Sequence, residues 1–198
     1  MINEIKIVAL DNAECLAVNK LEAMRYLGVK ECDEIIDNLY SQCLEDAQNV
    51  SAPKAAYIEA DITVSGEVVD FGFMRVNSSN LAKNLCDCRK AYVFCATLGI
   101  GMDRQYGRIS KISQAKASMF SAVGSAMIES FCDYVNDILR EGIETKPRFS
   151  CGYGDFCIEH QREILNILEA SKHLGICLTE TYMMVPVKSV TAIIGIRR

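Results

Sequence analysis

Apolar positions in the first quarter of the chain alternate in one stretch and recur at helical spacing in two others. Residues 3–10 alternate weakly and predict a strand. Asn12 is of a type that caps helices, and the pattern predicts a helix from there to Leu27. Gly28 is expected to end this helix, because glycine readily takes the left-handed backbone conformation. A second helix is predicted over 32–48, where apolar residues recur every three or four positions.

The next stretch contains short β-like runs separated by turn residues. Runs 55–64 and 68–76 meet at Ser65-Gly66 and together predict a β-hairpin. Ser78 or Ser79 is expected to cap a short helix that follows, because a hydroxyl can accept a hydrogen bond from the first free backbone N–H groups.

The second half of the chain predicts one long helix between strands. Residues 91–97 form an apolar run typical of a buried strand, 114–140 the longest helix, 158–171 another amphipathic helix and 189–196 a final strand. The predicted apolar stripe of the long helix is Phe120, Val123, Met127, Phe131, Val135 and Ile138. Its predicted polar side is Ser118, Ala122, Ser125, Glu129, Asp133 and Asn136.

These elements together predict an α+β fold. Hairpin-like neighbours outnumber regular βαβ units, which favours a twisted antiparallel sheet with flanking helices over a parallel one. We find no internal repeat and no boundary, so residues 1–198 are expected to form a single domain.

Charge and composition exclude several classes of protein. The net charge is −5, and 21 Lys and Arg are scattered among 26 Asp and Glu, which argues against a nucleic-acid-binding protein. No apolar run approaches the roughly 20 residues of a membrane span. The N-terminal sequence does not resemble a signal peptide, so we expect a cytoplasmic protein with reduced thiols.

The chain has ten cysteines, which are expected to be small apolar side chains rather than metal ligands. No C-x-x-C is present, and the close sets, Cys86 with Cys88 and Cys151 with Cys157, do not have a zinc or cluster spacing. Six cysteines lie in regular patterns and are predicted to be buried, namely Cys15, Cys32, Cys43, Cys95, Cys132 and Cys177.

Two familiar kinds of catalytic motif are weak here. His160 and His173 have no surrounding triad pattern and are interpreted as surface residues. Gly99-Ile100-Gly101 follows a buried strand, but the third glycine of a nucleotide-binding turn is missing. We interpret it as a plain strand-to-helix turn. An ordinary methyltransferase using this turn is a third, weaker hypothesis, which a parallel central sheet would support.

The loop around RFSCGYG combines residue types that suit a ligand. Arg148 offers a planar fork for a carboxylate, Gly152 lets a backbone approach closely, and Tyr153 offers a flat face. This favours a ligand with a carboxylate and an aromatic base. The alternative is a simple turn in which the arginine pairs with a nearby acid such as Glu144 or Asp155.

A family resemblance favours the ligand hypothesis. RFSCGYGDF, the helix EHQREILNILEA and the segment LTETYMMVPVKSVTAIIGI occur in the order found in the C-terminal half of the activation domain of cobalamin-dependent methionine synthase. The preceding AMIESFCDYV resembles the family's helix with a ligand-facing glutamate. The resemblance covers roughly 50 residues. The N-terminal helical part, about 1–50, matches only loosely. The size of the chain favours a stand-alone form of the domain.

The resemblance implies a function. The family's domain binds S-adenosylmethionine and presents its methyl group to a corrinoid, so that one electron and this methyl group restore methylcobalamin from the oxidised cob(II)alamin state. Arg148 would hold the ligand carboxylate, Glu129 its polar groups, and Ser150 and Tyr153 the adenosine end, with Ser150 acting through its backbone. Gly152 would be the permissive backbone position.

The implied partners follow from the same resemblance. No D-x-H-x-x-G signature is present, so cobalamin would come from a cobalamin-binding methionine synthase or another corrinoid protein, with a flavodoxin-like protein as electron donor. Two features depart from the family: Cys151 stands where proline is frequent, and Ile193 and Ile194 occupy a stretch where an aromatic residue lies near the ligand. The alternative function is a non-catalytic interaction or assembly module of a corrinoid methyltransferase system.

Overall fold

The computed structural model describes residues 4–197. This part of the chain contains nine strands and seven α-helices. The strands are β1 (Lys6–Ala9), β2 (Lys54–Asp61), β3 (Thr63–Ser65), β4 (Val68–Asp70), β5 (Arg75–Asn77), β6 (Lys90–Thr97), β7 (Cys177–Leu178), β8 (Met184–Val185) and β9 (Ser189–Ile196). The helices are α1 (Lys20–Leu27), α2 (Glu34–Val50), α3 (Ser79–Leu85), α4 (Ile100–Ile109), α5 (Gln114–Leu139), α6 (Gln161–Ile167) and α7 (Ala170–Leu174).

The central sheet has four antiparallel strands in the order β1-β2-β6-β9. Its long middle strand β6 is buried along almost its whole length and pairs with β2 on one side and β9 on the other. The predicted α+β fold with an antiparallel sheet is therefore confirmed. The ordinary methyltransferase hypothesis loses the parallel sheet that would have supported it.

Two hydrophobic cores cover the two faces of this sheet. On one face α1, α2 and α5 pack around Phe94 and Phe131. On the other face α3, α6 and α7 pack around Ile58 and Ile193. Alternate residues of β9 serve different cores, since successive side chains of a strand point to opposite faces. Both faces of the sheet are thus occupied, and its β9 edge is where a further segment can join.

Helix α5 is the central helix of the first core. Ser113 caps it by accepting a hydrogen bond from the backbone N–H of Lys116 at 3.2 Å. The predicted apolar stripe is buried from Phe120 to Val135, but Ile138 is 38% exposed. Asn136, predicted on the polar side, is buried. The buried stripe fixes the rotation of α5 about its axis.

Helix α1 begins later than predicted, although it ends where predicted. Asn12 caps only a short 3-10 turn (Ala13–Cys15), and Asn19 caps α1 by accepting from the backbone N–H of Leu21 at 2.9 Å. Gly28 ends α1 in the left-handed conformation. The sequence contains two candidate caps, and the periodicity alone did not distinguish them. Residue 3 of the predicted first strand lies outside the described residues.

The predicted hairpin is shorter than expected, because its two runs are divided between two sheets. The first run is mostly β2 in the central sheet, and a break at Ile62 separates it from β3. Only β3 and β4 pair across Gly66, and β5 then joins β4. Ile62 breaks the run because its backbone N–H donates to the carbonyl of Arg89 instead.

The prediction of one continuous helix over 158–171 is wrong. A 3-10 turn (Ile158–His160) leads into α6, and the chain bends at Glu169, whose φ is +44°, before α7. Leu168 and Ala170 are both fully buried. Residues two apart point to nearly opposite sides of a straight helix, so burying both in one core requires the bend.

Half of the cysteines predicted to be buried are exposed. Cys43, Cys95 and Cys132 lie in the cores, and burial raises the pKa of the Cys95 thiol to about 12. Cys15 and Cys177 are exposed, as is Cys32 in the link before α2. These three lie in short or irregular segments, where sequence spacing does not determine which side faces the core.

The burial of α5 can be tested by shortening Phe131, which lies between Glu129 and Asp133 and is fully buried. We expect Phe131→Ala to lower the free energy of unfolding in urea by about 3–5 kcal/mol, since it leaves a cavity. The control Ile112→Ala removes an 87% exposed side chain. We expect it to change stability by less than about 0.5 kcal/mol. Equal effects of the two variants would contradict the described core.

Candidate functional site

The segment that leads into the RFSCGYG loop, together with the first two residues of the loop, extends the central sheet at its β9 edge. The backbone N–H of Phe149 donates to the carbonyl of Ile193 at 2.9 Å, and the N–H of Ile193 donates back at 2.9 Å. Further along, the N–H of Lys146 donates to the carbonyl of Gly195 at 2.8 Å. This pairing holds Arg148 and Phe149 on opposite faces of the sheet.

Arg148 points towards α5 and binds two carboxylates there. Its Nη2 atom lies 3.1 Å from Oε2 of Glu129 and 2.9 Å from Oδ1 of Asp133. Glu129 and Asp133 are four residues apart and therefore neighbours on one side of the helix. The Arg148 side chain is 19% exposed, and that of Glu129 is 33% exposed. Arg148 therefore pairs with acids of this chain, as the alternative to a ligand site supposed, but these acids are Glu129 and Asp133 rather than Glu144 or Asp155.

The acids suggested as alternative partners of Arg148 have other roles. Glu144 pairs with Arg197. Asp155 accepts hydrogen bonds from the Ser78 hydroxyl and, at 2.7 Å, from the backbone N–H of Ser79, at the start of α3. These bonds hold the pKa of Asp155 well below its usual range, with the Ser78 hydroxyl as the largest cause. Asp155 therefore ties the far end of the loop to α3.

The loop itself turns at glycines and is anchored by an aromatic residue. The backbone N–H of Gly152, whose φ is +88°, donates to the carbonyl of Phe156 at 2.7 Å. Phe156 is buried and stacks on Phe149 with 6.3 Å between ring centroids. At Gly154 an added Cβ would lie 2.5 Å from the side-chain nitrogen of Asn80. The positive φ at both positions, and the close approach of Asn80 at Gly154, therefore favour glycine there.

A cleft of about 520 Å³ lies between this loop, α5, α6 and the start of β9. We call it the Arg148 cleft. Its lining residues are Glu129, Arg148, Phe149, Ser150, Cys151, Tyr153, Gln161, Met184, Ser189, Val190 and Thr191. Its volume is within the range of about 300–1,000 Å³ that is typical of small-molecule sites.

The cleft brings together four of the five residues singled out in the sequence. Glu129, Arg148, Ser150 and Tyr153 line it, and Gly152 supplies the turn between the last two. Tyr153 is 68% exposed, so its ring stands at the mouth. Their roles in binding remain predictions.

Two residues near the candidate site were not singled out in the sequence, Asp133 and Gln161. Asp133 binds Arg148 without lining the cleft, and it could have been found because it lies one helical turn after Glu129. Gln161 could not, since it follows a 3-10 turn that the periodicity does not show. Burial raises the pKa of the Cys151 thiol to about 12. This thiol is therefore neutral and contributes a small polarizable side chain to the cleft rather than a nucleophile.

A lysine holds the start of β9 against α5. Lys188 Nζ donates to the hydroxyls of Ser125 at 2.8 Å and Ser121 at 3.2 Å. Burial lowers the pKa of Lys188. Its side chain passes beside Gly124, where an added Cβ would lie 3.1 Å from Lys188 Cε. This contact positions the neighbouring Ser189, which lines the Arg148 cleft.

The turn at Gly99 and Gly101 serves packing. An added Cβ on Gly101 would lie 2.0 Å from the backbone oxygen of Val50, at the end of α2. Gly99 takes a φ of +84° at the start of α4. The close approach of α2 explains Gly101 without a ligand.

Residues 4–197 contain no group of three or more His, Cys, Asp or Glu side chains that could hold a metal ion. No helix in this part of the chain has both the length and the apolar character that crossing a membrane requires.

Comparisons with known proteins give one informative result. No protein-family model and no curated protein matches the chain. Among solved structures, a crystal structure of the MetH reactivation domain bound to AdoHcy superposes on it with a TM-score of 0.70. The match covers 97% of this chain and 78% of that chain, at 15% sequence identity. The chain therefore has the fold of the MetH reactivation domain, which confirms the fold implied by the resemblance.

The turn at Gly152 can be tested by adding a methyl group. We expect Gly152→Ala to lower the free energy of unfolding by about 1–2 kcal/mol, because a side chain is strained at positive φ. The control Gly107→Ala lies in helix α4 with open space around it. We expect it to raise stability by about 0.5–1 kcal/mol. Urea denaturation measures both, and a stabilising Gly152→Ala would contradict the described turn.

Proposed function

We propose that this chain binds S-adenosylmethionine in the Arg148 cleft and presents its methyl group to a corrinoid carried by a partner protein. In this role it supports the reductive methylation, and so the reactivation, of a cobalamin-dependent methionine synthase or a related corrinoid methyltransferase. The observation that carries the proposal is Arg148, which lines the cleft and binds its two carboxylate partners through one nitrogen, Nη2.

The guanidinium of Arg148 suits a ligand carboxylate. Both carboxylates that it binds contact the same nitrogen, Nη2. Its other two nitrogens have no carboxylate partner among residues 4–197. A guanidinium presents its donors as a planar fork that matches a carboxylate. The amino-acid carboxylate of the ligand can therefore bind there while Glu129 accepts the ligand's ammonium group.

The charge around Arg148 also suits this ligand. One guanidinium between the carboxylates of Glu129 and Asp133 leaves this group with one net negative charge. S-adenosylmethionine carries a carboxylate, an ammonium and a sulfonium, and so has one net positive charge. Attraction between these opposite charges favours the sulfonium ligand over a neutral thioether, more strongly in a cleft than in open water.

The remaining predicted residues serve the adenosine end of the ligand. We place the Tyr153 ring at the mouth of the cleft, where its exposed face can cover the adenosine. Ser150 acts through its backbone, and Gly152 permits the loop to turn between them. This arrangement leaves the sulfonium methyl near the open side of the cleft.

The residues of this chain act by orientation. Holding the amino-acid and adenosine ends fixes the direction of the methyl group, which lowers the entropic part of the barrier for transfer. A partner protein would hold the corrinoid, which would supply the cobalt chemistry that takes up the methyl group together with one electron, and S-adenosylhomocysteine would be the remaining thioether. A flavodoxin-like protein is the proposed electron donor, and the cytoplasm the proposed location.

A second candidate function is a non-catalytic assembly module of a corrinoid methyltransferase system. It is favoured by the side chains of Ile193 and Ile194, which are fully buried in the two cores. Neither can contact a ligand in the way that an exposed aromatic residue would. Binding of S-adenosylmethionine separates the two candidates.

Titration calorimetry with S-adenosylmethionine tests the proposal. We expect measurable binding by the wild-type protein and a loss of about 1.5–3 kcal/mol in Arg148→Ala, the usual scale for a hydrogen bond to a charged group. The matched control is Arg104→Ala, which removes an exposed arginine from α4. We expect it to bind like the wild type. Absence of binding, alone and with a cobalamin-loaded partner present, would favour the assembly module.

A further inference from the structure

Gln161 is a buried side chain of the Arg148 cleft whose amide has an unused hydrogen-bonding atom. It is 5% exposed and lines the cleft. Its Oε1 atom is buried and has no hydrogen-bond partner within residues 4–197. A buried carbonyl without a partner costs about 1–3 kcal/mol, so such atoms usually have a partner that is either water or a ligand.

The position of Gln161 distinguishes it from the other side chains with this property. Asn84, Asn136 and His160 also carry a buried polar atom without a hydrogen-bond partner in the described part of the chain. None of these three lines the Arg148 cleft. Of these four side chains, only Gln161 therefore combines an unpartnered amide oxygen with a place in the lining of the cleft.

Gln161 lies on the opposite side of the cleft from the charged residues. Arg148 and Glu129 meet on the side of α5, which belongs to the first core. Gln161 begins α6, which belongs to the second core on the other face of the sheet. The start of β9, with Ser189 and Thr191, lies in the same cleft. A ligand whose carboxylate binds Arg148 therefore reaches Gln161 with its other end.

The chemistry of that other end matches a primary amide. The edge of adenine presents an amino donor next to a ring-nitrogen acceptor. A glutamine amide presents an acceptor next to a donor, and this pair binds adenine with two hydrogen bonds in other recognition sites. Cys151 and Met184, which also line the cleft, provide polarizable surface for a flat ring.

We propose that Gln161 is a specificity-determining residue that recognises the adenine base: its terminal amide rotates towards the base, and Oε1, buried in the free protein, then accepts a hydrogen bond from the exocyclic amine. This inference rests on the proposed S-adenosylmethionine site and assigns its base end. It also explains why a buried amide oxygen without a hydrogen-bond partner lies there. The free-energy cost of this unpartnered carbonyl in the free protein is recovered when the base binds.

The test pairs a variant with an altered ligand. Binding of S-adenosylhomocysteine is compared with that of an analogue in which hydrogen replaces the 6-amino group, for the wild type and for Gln161→Met. We expect the wild type to bind the analogue about tenfold more weakly, as the loss of one buried hydrogen bond predicts. We expect Gln161→Met to bind both ligands equally, with the affinity that the wild type has for the analogue.

A matched control removes a side-chain amide at the start of another helix. Gln114 is also the first residue of a helix, and its exposed side chain donates to the carbonyl of Ser110, away from the cleft. Gln114→Met should keep the tenfold preference for the amine. The unbound Gln161→Met protein should be at least as thermally stable as the wild type, because the substitution removes an unpartnered buried carbonyl.

The outcomes separate this inference from the proposed function. If the wild type binds S-adenosylhomocysteine and the analogue equally, the inference is overturned and the site stands. The inference is likewise overturned, and the site stands, if Gln161→Met keeps the tenfold preference for the ligand with the 6-amino group. If the wild type binds neither S-adenosylmethionine nor S-adenosylhomocysteine, both are overturned. The wild-type comparison needs no variant, so it remains decisive even if Gln161→Met fails to fold.

Discussion

The site depends on the antiparallel pairing between the Phe149 segment and the outer edge of β9. Two reciprocal hydrogen bonds between Phe149 and Ile193 set the register of this segment. Side chains of an extended segment alternate between faces, so the register directs Arg148 towards α5 and Phe149 into the second core. A shift by one residue would exchange these directions and remove the arginine from the cleft. The cleft therefore depends on a loop that starts from a fixed sheet edge and is tied at its far end to α3.

Two ion pairs then fix the position of the charged group in the cleft. Glu129 and Asp133 bind the Arg148 guanidinium, and they do so from a helix whose rotation is fixed by a buried apolar stripe. Exposed ion pairs contribute little to stability, so their value here is the position and charge that they give to the guanidinium. The opposite side of the cleft is uncharged and ends at Gln161, which suits a ligand with a charged end and a flat, polar end.

The sequence predicted the parts of the fold that local chemistry determines. Caps and glycines located several ends correctly, for example Gly28 and Ser78, because a cap uses only neighbouring backbone groups. The ordered motifs located the loop and Glu129. The errors arose where tertiary contacts decide. The bend at Glu169 lets two close residues reach one core, and the 3-10 turn before α6 brings Gln161 to the cleft. Periodicity contains no information about either.

Hydrogen–deuterium exchange with and without S-adenosylmethionine tests the central claim most directly, because it locates the ligand as well as detecting it. Amides protected by ligand binding exchange more slowly, since local opening then requires release of the ligand. We expect protection in residues 148–156, at the start of β9 and in the turn of α5 around Glu129, with little change in β3, β4 and β5. Unchanged exchange at 148–156 under saturating ligand, or protection confined to another surface, would contradict the account.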